Sequence, residues 1–254
     1  MQKIIDLTGR RILVIGGSSG IGKQTAITMS EIGAHVILTS NEQEQLTETL
    51  KELSGEGHSA YYIDVTDLNG IDGCIKQIVD EQGLLDGMVY SAGITDHLPL
   101  KLLKPERALF AFKVNFFGYV EAIRAITKKG RFNPGMRIVG VSSIAAIKGD
   151  KSHTSYSASK AAMDGAIRCI AKELADKQIC INNVAPGMTA TPMYDRFIER
   201  NGEDDETLKI LLERQYLGVV QPHEVADAIT FLISPAARPI TGTVLYVDAG
   251  VTTN

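Results

Sequence analysis

Apolar runs of strand length alternate along this chain with longer segments of helical period. The runs fall at 11–15, 35–39, 60–63, 87–90, 137–141, 179–183 and 244–247. Most are apolar at successive positions, the pattern of strands covered on both faces. Between them, 23–31, 43–53, 71–81, 106–126, 157–176 and 224–233 repeat their apolar residues at helical spacing. Such alternation predicts a single α/β domain over 1–254: a doubly wound, parallel, seven-stranded sheet with helices on both faces. Ligands bind these sheets beyond the C-terminal ends of the strands. One segment breaks the rhythm. Residues 188–216, with the acidic turn Glu203-Asp204-Asp205-Glu206, predict one or two helices inserted after the sixth strand, as a lid over the ligand crevice.

The turns after the strands carry the candidate chemistry. Gly16-Gly17-Ser18-Ser19-Gly20-Ile21-Gly22 joins the first strand to a helix. A glycine-rich turn there offers free amides and the positive end of a helix dipole to an anion, and lets a pyrophosphate approach the backbone. A dinucleotide site usually has Asp or Glu at the end of the second strand for the ribose 2′-hydroxyl. Ser40-Asn41 stands there instead, with no arginine for a 2′-phosphate. Small polar residues admit a phosphate that Asp would repel, so the lean is to NADP over NAD. Glu42 and Glu44 oppose that lean, although Asn41 with Glu44 also reads as a capping box on the next helix. Further along, Tyr156 and Lys160 stand at i and i+4 of an expected helix, on one face. A phenol exchanges its proton near neutral pH only if something stabilises the phenolate, and Lys160 is placed to do so.

Composition narrows the function classes. A net charge of −4 with dispersed basic residues argues against a nucleic-acid surface. Lys128-Lys129-Gly130-Arg131 is too short for a basic arm and reads as a helix C-terminus. Cys74, Cys169 and Cys180 have neither disulfide-framework nor metal spacing, which fits a reducing cytoplasm. The first apolar run is too short for a signal core or a membrane span. His97 and His153 fall in loops bordering the crevice, where lone histidines are usually solvated. Phe110, Phe112, Phe116 and Phe117 read as core or subunit contact.

The Gly-x-x-x-Gly-x-Gly turn at Gly16, Gly20 and Gly22, followed by Tyr156-x-x-x-Lys160, resembles the short-chain dehydrogenase/reductase family. Asp64-Val65, Ser91-Ala92-Gly93, Asn115, Ser142-Ser143, Pro186-Gly187 and the ending Ile240 to Gly250 agree in order, so the resemblance covers essentially the whole chain. It implies a Rossmann fold and an enzyme that interconverts a secondary alcohol and a ketone with NADP or NAD. Tyr156 resembles the catalytic acid/base. Lys160 would lower the phenol's pKa and hold the nicotinamide ribose, Ser143 would orient the substrate oxygen, and Asn115 would open its helix to bind a relay water. Ser142 is the weaker choice because successive strand residues point to opposite faces. On the cofactor, the resemblance implies contacts from Gly16, Ser18, Ser19, Gly20, Ile21, Gly22, Ser40, Asn41, Asp64, Val65, Ser91, Ala92, Gly93, Pro186, Gly187, Thr189 and Thr191.

Three departures stand out: Ile15 where the family often has Thr, Tyr90-Ser91 where it often has Asn-Asn, and Gly140 where a strand Asn is frequent. A 3-oxoacyl carrier-protein reductase is the foremost activity implied, with a hydroxysteroid or sugar-alcohol dehydrogenase as alternatives. From another class, a non-catalytic dinucleotide-binding regulator would be favoured had Tyr156 or Lys160 been missing. The partners implied are a small-molecule carbonyl or alcohol and further copies of the chain in a homodimer or homotetramer, with neither nucleic acid nor membrane.

Overall fold

A computed structural model describes residues 5–202 and 206–253. Seven parallel strands form one sheet in the order β3-β2-β1-β4-β5-β6-β7. They are β1 Arg11–Ile15, β2 His35–Ser40, β3 Ser59–Tyr62, β4 Leu85–Tyr90, β5 Phe132–Val141, β6 Cys180–Pro186 and β7 Val244–Val247. The order reverses between β1 and β4, and the crevice at that point faces the turns after both strands.

Residues of β1 show why its apolar run is continuous. Leu13 and Ile15 join a core shared with α3 Leu68–Gln82, α5 Gly118–Ile126 and α6 Thr154–Leu174. Ile12 and Val14 join the opposite core, under α1 Gly20–Glu31, α2 Gln43–Lys51 and α9 Pro222–Ile233. Each such side chain contributes roughly 1.5–3 kcal/mol on burial, so both faces enforce the strand.

Three differences from the sequence reading have local causes. β5 starts at Phe132 because Leu85 pairs with it before the register shifts and Gly87 pairs with Arg137; Pro134 and Gly135 lie in the shifted stretch and break the apolar pattern. The helix expected over 106–126 is α4 Pro105–Phe112, a π-turn Lys113–Phe117, and then α5. Tyr90 donates its hydroxyl proton to the Val114 carbonyl at 2.6 Å, drawing that carbonyl out of the helical ladder. Gly118 allows the approach, since a Cβ there would stand 2.5 Å from the Tyr90 oxygen. The capping box on α2 does not form. Glu42 occupies the N-cap without a side-chain cap, its amide donating to Ser40 Oγ at 3.0 Å, so Asn41 falls one residue before the cap and Glu44 at the second helical position, where the box cannot close.

The insertion after β6 holds two helices, α7 Pro192–Asn201 and α8 Glu206–Arg214. Of its acidic turn, Glu203, Asp204 and Asp205 lie outside the described residues. Gln215, 2% exposed, ties the ends of the insertion together. Its Oε1 accepts from the Met188 amide at 2.9 Å, and its Nε2 donates to the carbonyls of Met188 at 2.9 Å and Gly218 at 2.8 Å. Lys128 and Arg131, read as a helix end, both pair with Asp72 of α3, at 2.7 and 2.8 Å. Among the described residues no helix is long and apolar enough to cross a membrane.

Candidate active site

The glycine turn is built for close backbone approach. Gly16 has φ +81°, and a Cβ there would stand 2.5 Å from the Ala92 nitrogen. At Gly22 a Cβ would come within 2.0 Å of the Gly16 carbonyl oxygen. The amides of Gly16 and Gly17 donate to Thr39 O, and those of Ser91 and Ala92 to Ile15 O, so the turn is fastened between the ends of β2 and β4. Ser19 is the N-cap of α1 but caps nothing with its side chain, and the first turn holds no acidic residue. The α1 amides therefore face the cavity with no carboxylate competing for them, which fits a pyrophosphate.

One cavity runs from this turn along the C-terminal ends of the strands. Gly16, Ser18, Ser19, Gly20, Ile21, Ser40, Asn41, Asp64, Val65, Ser91, Ala92, Gly93, Ser143, Tyr156, Lys160, Pro186, Gly187, Thr189 and Thr191 all line it. Gly22 and Asn115 stand behind the wall. At the end near β2, the Ser18 and Ser40 hydroxyls share a hydrogen bond of 2.8 Å, while Asp64 Oδ1 accepts from the amide and hydroxyl of Thr66 at 2.8 Å each. Glu42 lines the cavity beside them and Glu44 does not.

At the other end stand the proton-bearing groups. Tyr156 and Lys160 project from the first two turns of α6, beneath the end of β5. The Ser143 hydroxyl is hydrogen-bonded to the Tyr156 phenol and favours its ionisation, but burial has the larger influence and pushes the phenol above its ordinary value. Lys160 shares the phenol's pocket. Its Nζ donates to the Val141 carbonyl at 2.7 Å and lies 5.9 Å from the Tyr156 ring centre. Burial lowers the Lys160 ammonium to about 8, with the Asp164 carboxylate opposing that fall. Asn115, fully buried in the π-turn, accepts from the Ile94 amide at 2.9 Å and donates to Ile94 O at 3.0 Å and Ser159 Oγ at 2.9 Å. Gly93 keeps this corner open: a Cβ there would meet Lys160 Nζ at 3.3 Å and Asn115 Oδ1 at 3.4 Å.

Several groups in or around the site are not where the sequence reading puts them. His97 and His153, expected to be solvated, pack ring against ring at 3.8 Å, with Phe197 of α7 on His97 at 4.8 Å and Tyr156 at 5.8 Å from His153. Burial pushes the His153 imidazole below its ordinary range, with Asp96 opposing, and its Nδ1 has no partner among the described residues. Asp96 in turn receives Ser155 Oγ at 2.8 and 2.6 Å, which pins the loop after β4 to the start of α6. Phe110, read as core or subunit contact, lines the cavity. Asp164 follows Tyr156 and Lys160 at the same i+4 interval, a stripe legible in the sequence and passed over.

Known proteins resemble this chain over nearly its whole length. The family described as Enoyl-(Acyl carrier protein) reductase matches residues 15–252. A 3-oxoacyl-acyl-carrier-protein reductase of Thermotoga maritima is 34% identical over 96% of this chain and 98% of its own. A hydroxy(phenyl)methylsuccinyl-CoA dehydrogenase subunit of Thauera aromatica is 33% identical over 96% of this chain and 97% of its own. Among solved structures, a blue fluorescent protein from a metagenomic library, in complex with NADPH, superposes with a TM-score of 0.87 at 27% identity, over 97% of this chain and 99% of that one.

Proposed function

The chain belongs to the short-chain dehydrogenase/reductase family and is a nicotinamide-dependent oxidoreductase, and on that premise we propose that it reduces the 3-keto group of an acyl thioester to a secondary alcohol. The observation that supports this most directly is a phenol, a hydroxyl and an ammonium lining one cavity with an anion-fitted glycine turn. The two relatives above, named for an acyl-carrier-protein and a coenzyme A thioester, support the substrate class.

The reduced dinucleotide would lie with its pyrophosphate on Gly16 to Gly22 and supply hydride to the keto carbon. Everything else falls to side chains. A carbonyl accepts hydride only as its oxygen is protonated or polarised. Tyr156, neutral because burial holds its proton, is the acid at that oxygen. Ser143 donates a second hydrogen bond and, once the proton has left, stabilises the phenolate. Lys160 as ammonium offsets the new negative charge within the same low-dielectric pocket, where such a charge weighs far more than in water. Asn115 fixes the wall behind Lys160.

The test is a carbonyl panel run with NADPH and NADH. A 3-oxoacyl thioester should exceed simple ketones by about tenfold or more in kcat/KM, a discrimination of ~1.4 kcal/mol. A panel in which the protein binds NADPH yet oxidises none of it would instead establish a non-catalytic binding role. NADPH should serve at least as well as NADH, because Ser18, Ser40 and Asn41 admit a phosphate; strong preference for NADH would show that Glu42 repels it.

His153 bears on the same panel. His153 lines the cavity with its ring 5.8 Å from that of Tyr156, which places it to meet a second oxygen on the substrate. His153→Phe should lower kcat/KM for the thioester by about tenfold while sparing a ketone that has no second oxygen, since a lost hydrogen bond is worth ~1 kcal/mol or more in a buried site. Equal loss on both substrates would remove that role. We further assign a homodimer or homotetramer, supported by the exposed Leu109 and Phe117 on the α4–α5 surface and Leu245 and Tyr246 on the edge strand β7.

A further inference from the structure

We propose that Asp164 is a positioning residue: a buried carboxylate one turn beyond Lys160 that keeps the Lys160 side chain charged and so acts on the reaction through it. This rests on the roles assigned above to Tyr156 and Lys160, and goes beyond them. The three residues occupy successive i+4 positions of α6, and Lys160 and Asp164 are only 4% and 7% exposed.

A chain of hydrogen bonds holds the carboxylate from behind. Tyr119 of α5 donates its hydroxyl to Asn183 Oδ1 at 2.9 Å, and Asn183 Nδ2 donates to Asp164 Oδ1 at 2.7 Å. The Ser142 hydroxyl, at the end of β5, stands beside both Asp164 and the Lys160 carbonyl. Asp164 Oδ2 has no hydrogen-bond partner among the described residues. A carboxylate oriented by an amide donor, with its other oxygen bare, is set up to act by its charge.

Gly140 makes the arrangement possible. A Cβ at that position would stand 2.5 Å from Asn183 Oδ1 and 2.9 Å from the Tyr119 hydroxyl. With only hydrogen at Gly140, the space is filled by the Asn183 amide of the neighbouring strand β6.

The electrostatics are mutual. Burial disfavours both charged forms, raising Asp164 and lowering Lys160, and each charge favours the ionised form of the other. The other groups facing Asp164 are Arg168 of the same helix, Tyr119 of α5 and Tyr246 of β7. Burial keeps Tyr119 neutral, and Tyr246 is raised as well, so neither titrates near neutral pH. Lys160 is the member of the cluster whose charge is in balance near pH 8.

Asp164→Asn removes the charge and keeps the shape, and its amide oxygen can still accept from Asn183. The Lys160 ionisation is followed by NMR in protein carrying 13C-lysine, the signal assigned by its loss in Lys160→Met. The midpoint should move acid-ward from about 8 by roughly one pH unit, the effect expected on losing a near opposite charge. Reduction should fall about fivefold at pH 8, in step with the charged fraction of Lys160, and recover towards pH 6. Tyr119→Phe, which breaks the chain without removing charge, should leave the midpoint where it was. An unmoved midpoint in Asp164→Asn overturns the proposal whatever happens to turnover. So does an equal shift in Tyr119→Phe, or a loss of rate that is the same at every pH and accompanied by a lowered Tm. A moved midpoint in a protein that reduces no carbonyl keeps the hold of Asp164 on Lys160 and discards the proposed function instead.

Discussion

Tyr156→Phe should lose about 10³-fold or more in carbonyl reduction while binding NADPH within about threefold of the parent protein, the span expected when a positioned proton donor is removed. The substitution deletes one oxygen and leaves the ring. The ring packs near His153 and below the end of β5, so packing is retained. What disappears is the acid that Ser143 orients. Ser143 remains as a hydrogen-bond donor, and the cofactor turn is untouched, so a residual rate above the uncatalysed one should persist. Single-turnover NADPH oxidation, with cofactor binding measured separately by fluorescence, separates the two effects. A variant that keeps more than a tenth of the parent rate removes Tyr156 from the acid role.

The second large effect belongs to the backbone. Gly22→Ala places a methyl group 2.0 Å from the Gly16 carbonyl oxygen, a distance no packed structure tolerates. The obstacle is main chain, so no side chain can swing aside. Either α1 moves outward, against its packing on α9, or the glycine turn opens. Overpacking of this kind costs about 1–3 kcal/mol in stability, and the same shift misdirects the amides that face the pyrophosphate. NADPH affinity should fall about 100-fold or more, which is ~2.7 kcal/mol. Urea unfolding with and without NADPH reads both losses. Gly73→Ala on α3, where a Cβ meets nothing within 4 Å, supplies the control and should be neutral or slightly stabilising. Wild-type NADPH affinity in a folded Gly22→Ala protein would show that the cofactor does not rest on this turn.

How much of this was legible in the sequence depended on how local the cause was. The strands were legible because burial on both faces writes itself as an apolar run, and the parallel, doubly wound arrangement follows from strand–helix alternation. The π-turn was not: it depends on Tyr90, a strand residue that reaches the Val114 carbonyl only after β4 and the helix have packed. The capping box failed for a similar reason. Asn41 and Glu44 have the right spacing, but β2 runs on through Ser40, which holds the Glu42 amide, and the helix starts one residue later than that spacing requires. His97, His153 and Phe197 come from three separate segments, and no one-dimensional pattern announces that their rings meet. Asp164 differs, because its i+4 spacing is local. Its surroundings are not, since the meaning of the stripe depends on Asn183 and Tyr119 arriving from other elements.

The clasp formed by Gln215 sets the terms on which substrate preference can change. With Met188 and Gly218 bound to one buried amide, the two inserted helices hang from a mouth of fixed width. Lengthening such a closed excursion is thermodynamically mild: doubling a loop costs only ~0.6 kcal/mol in closure entropy. Beyond Thr191 and Phe197, which meet the cavity, the stretch between 198 and 214 is therefore an exchangeable cassette. It can be rewritten in length and side chains while the sheet and the proton-handling residues of α6 keep their coordinates.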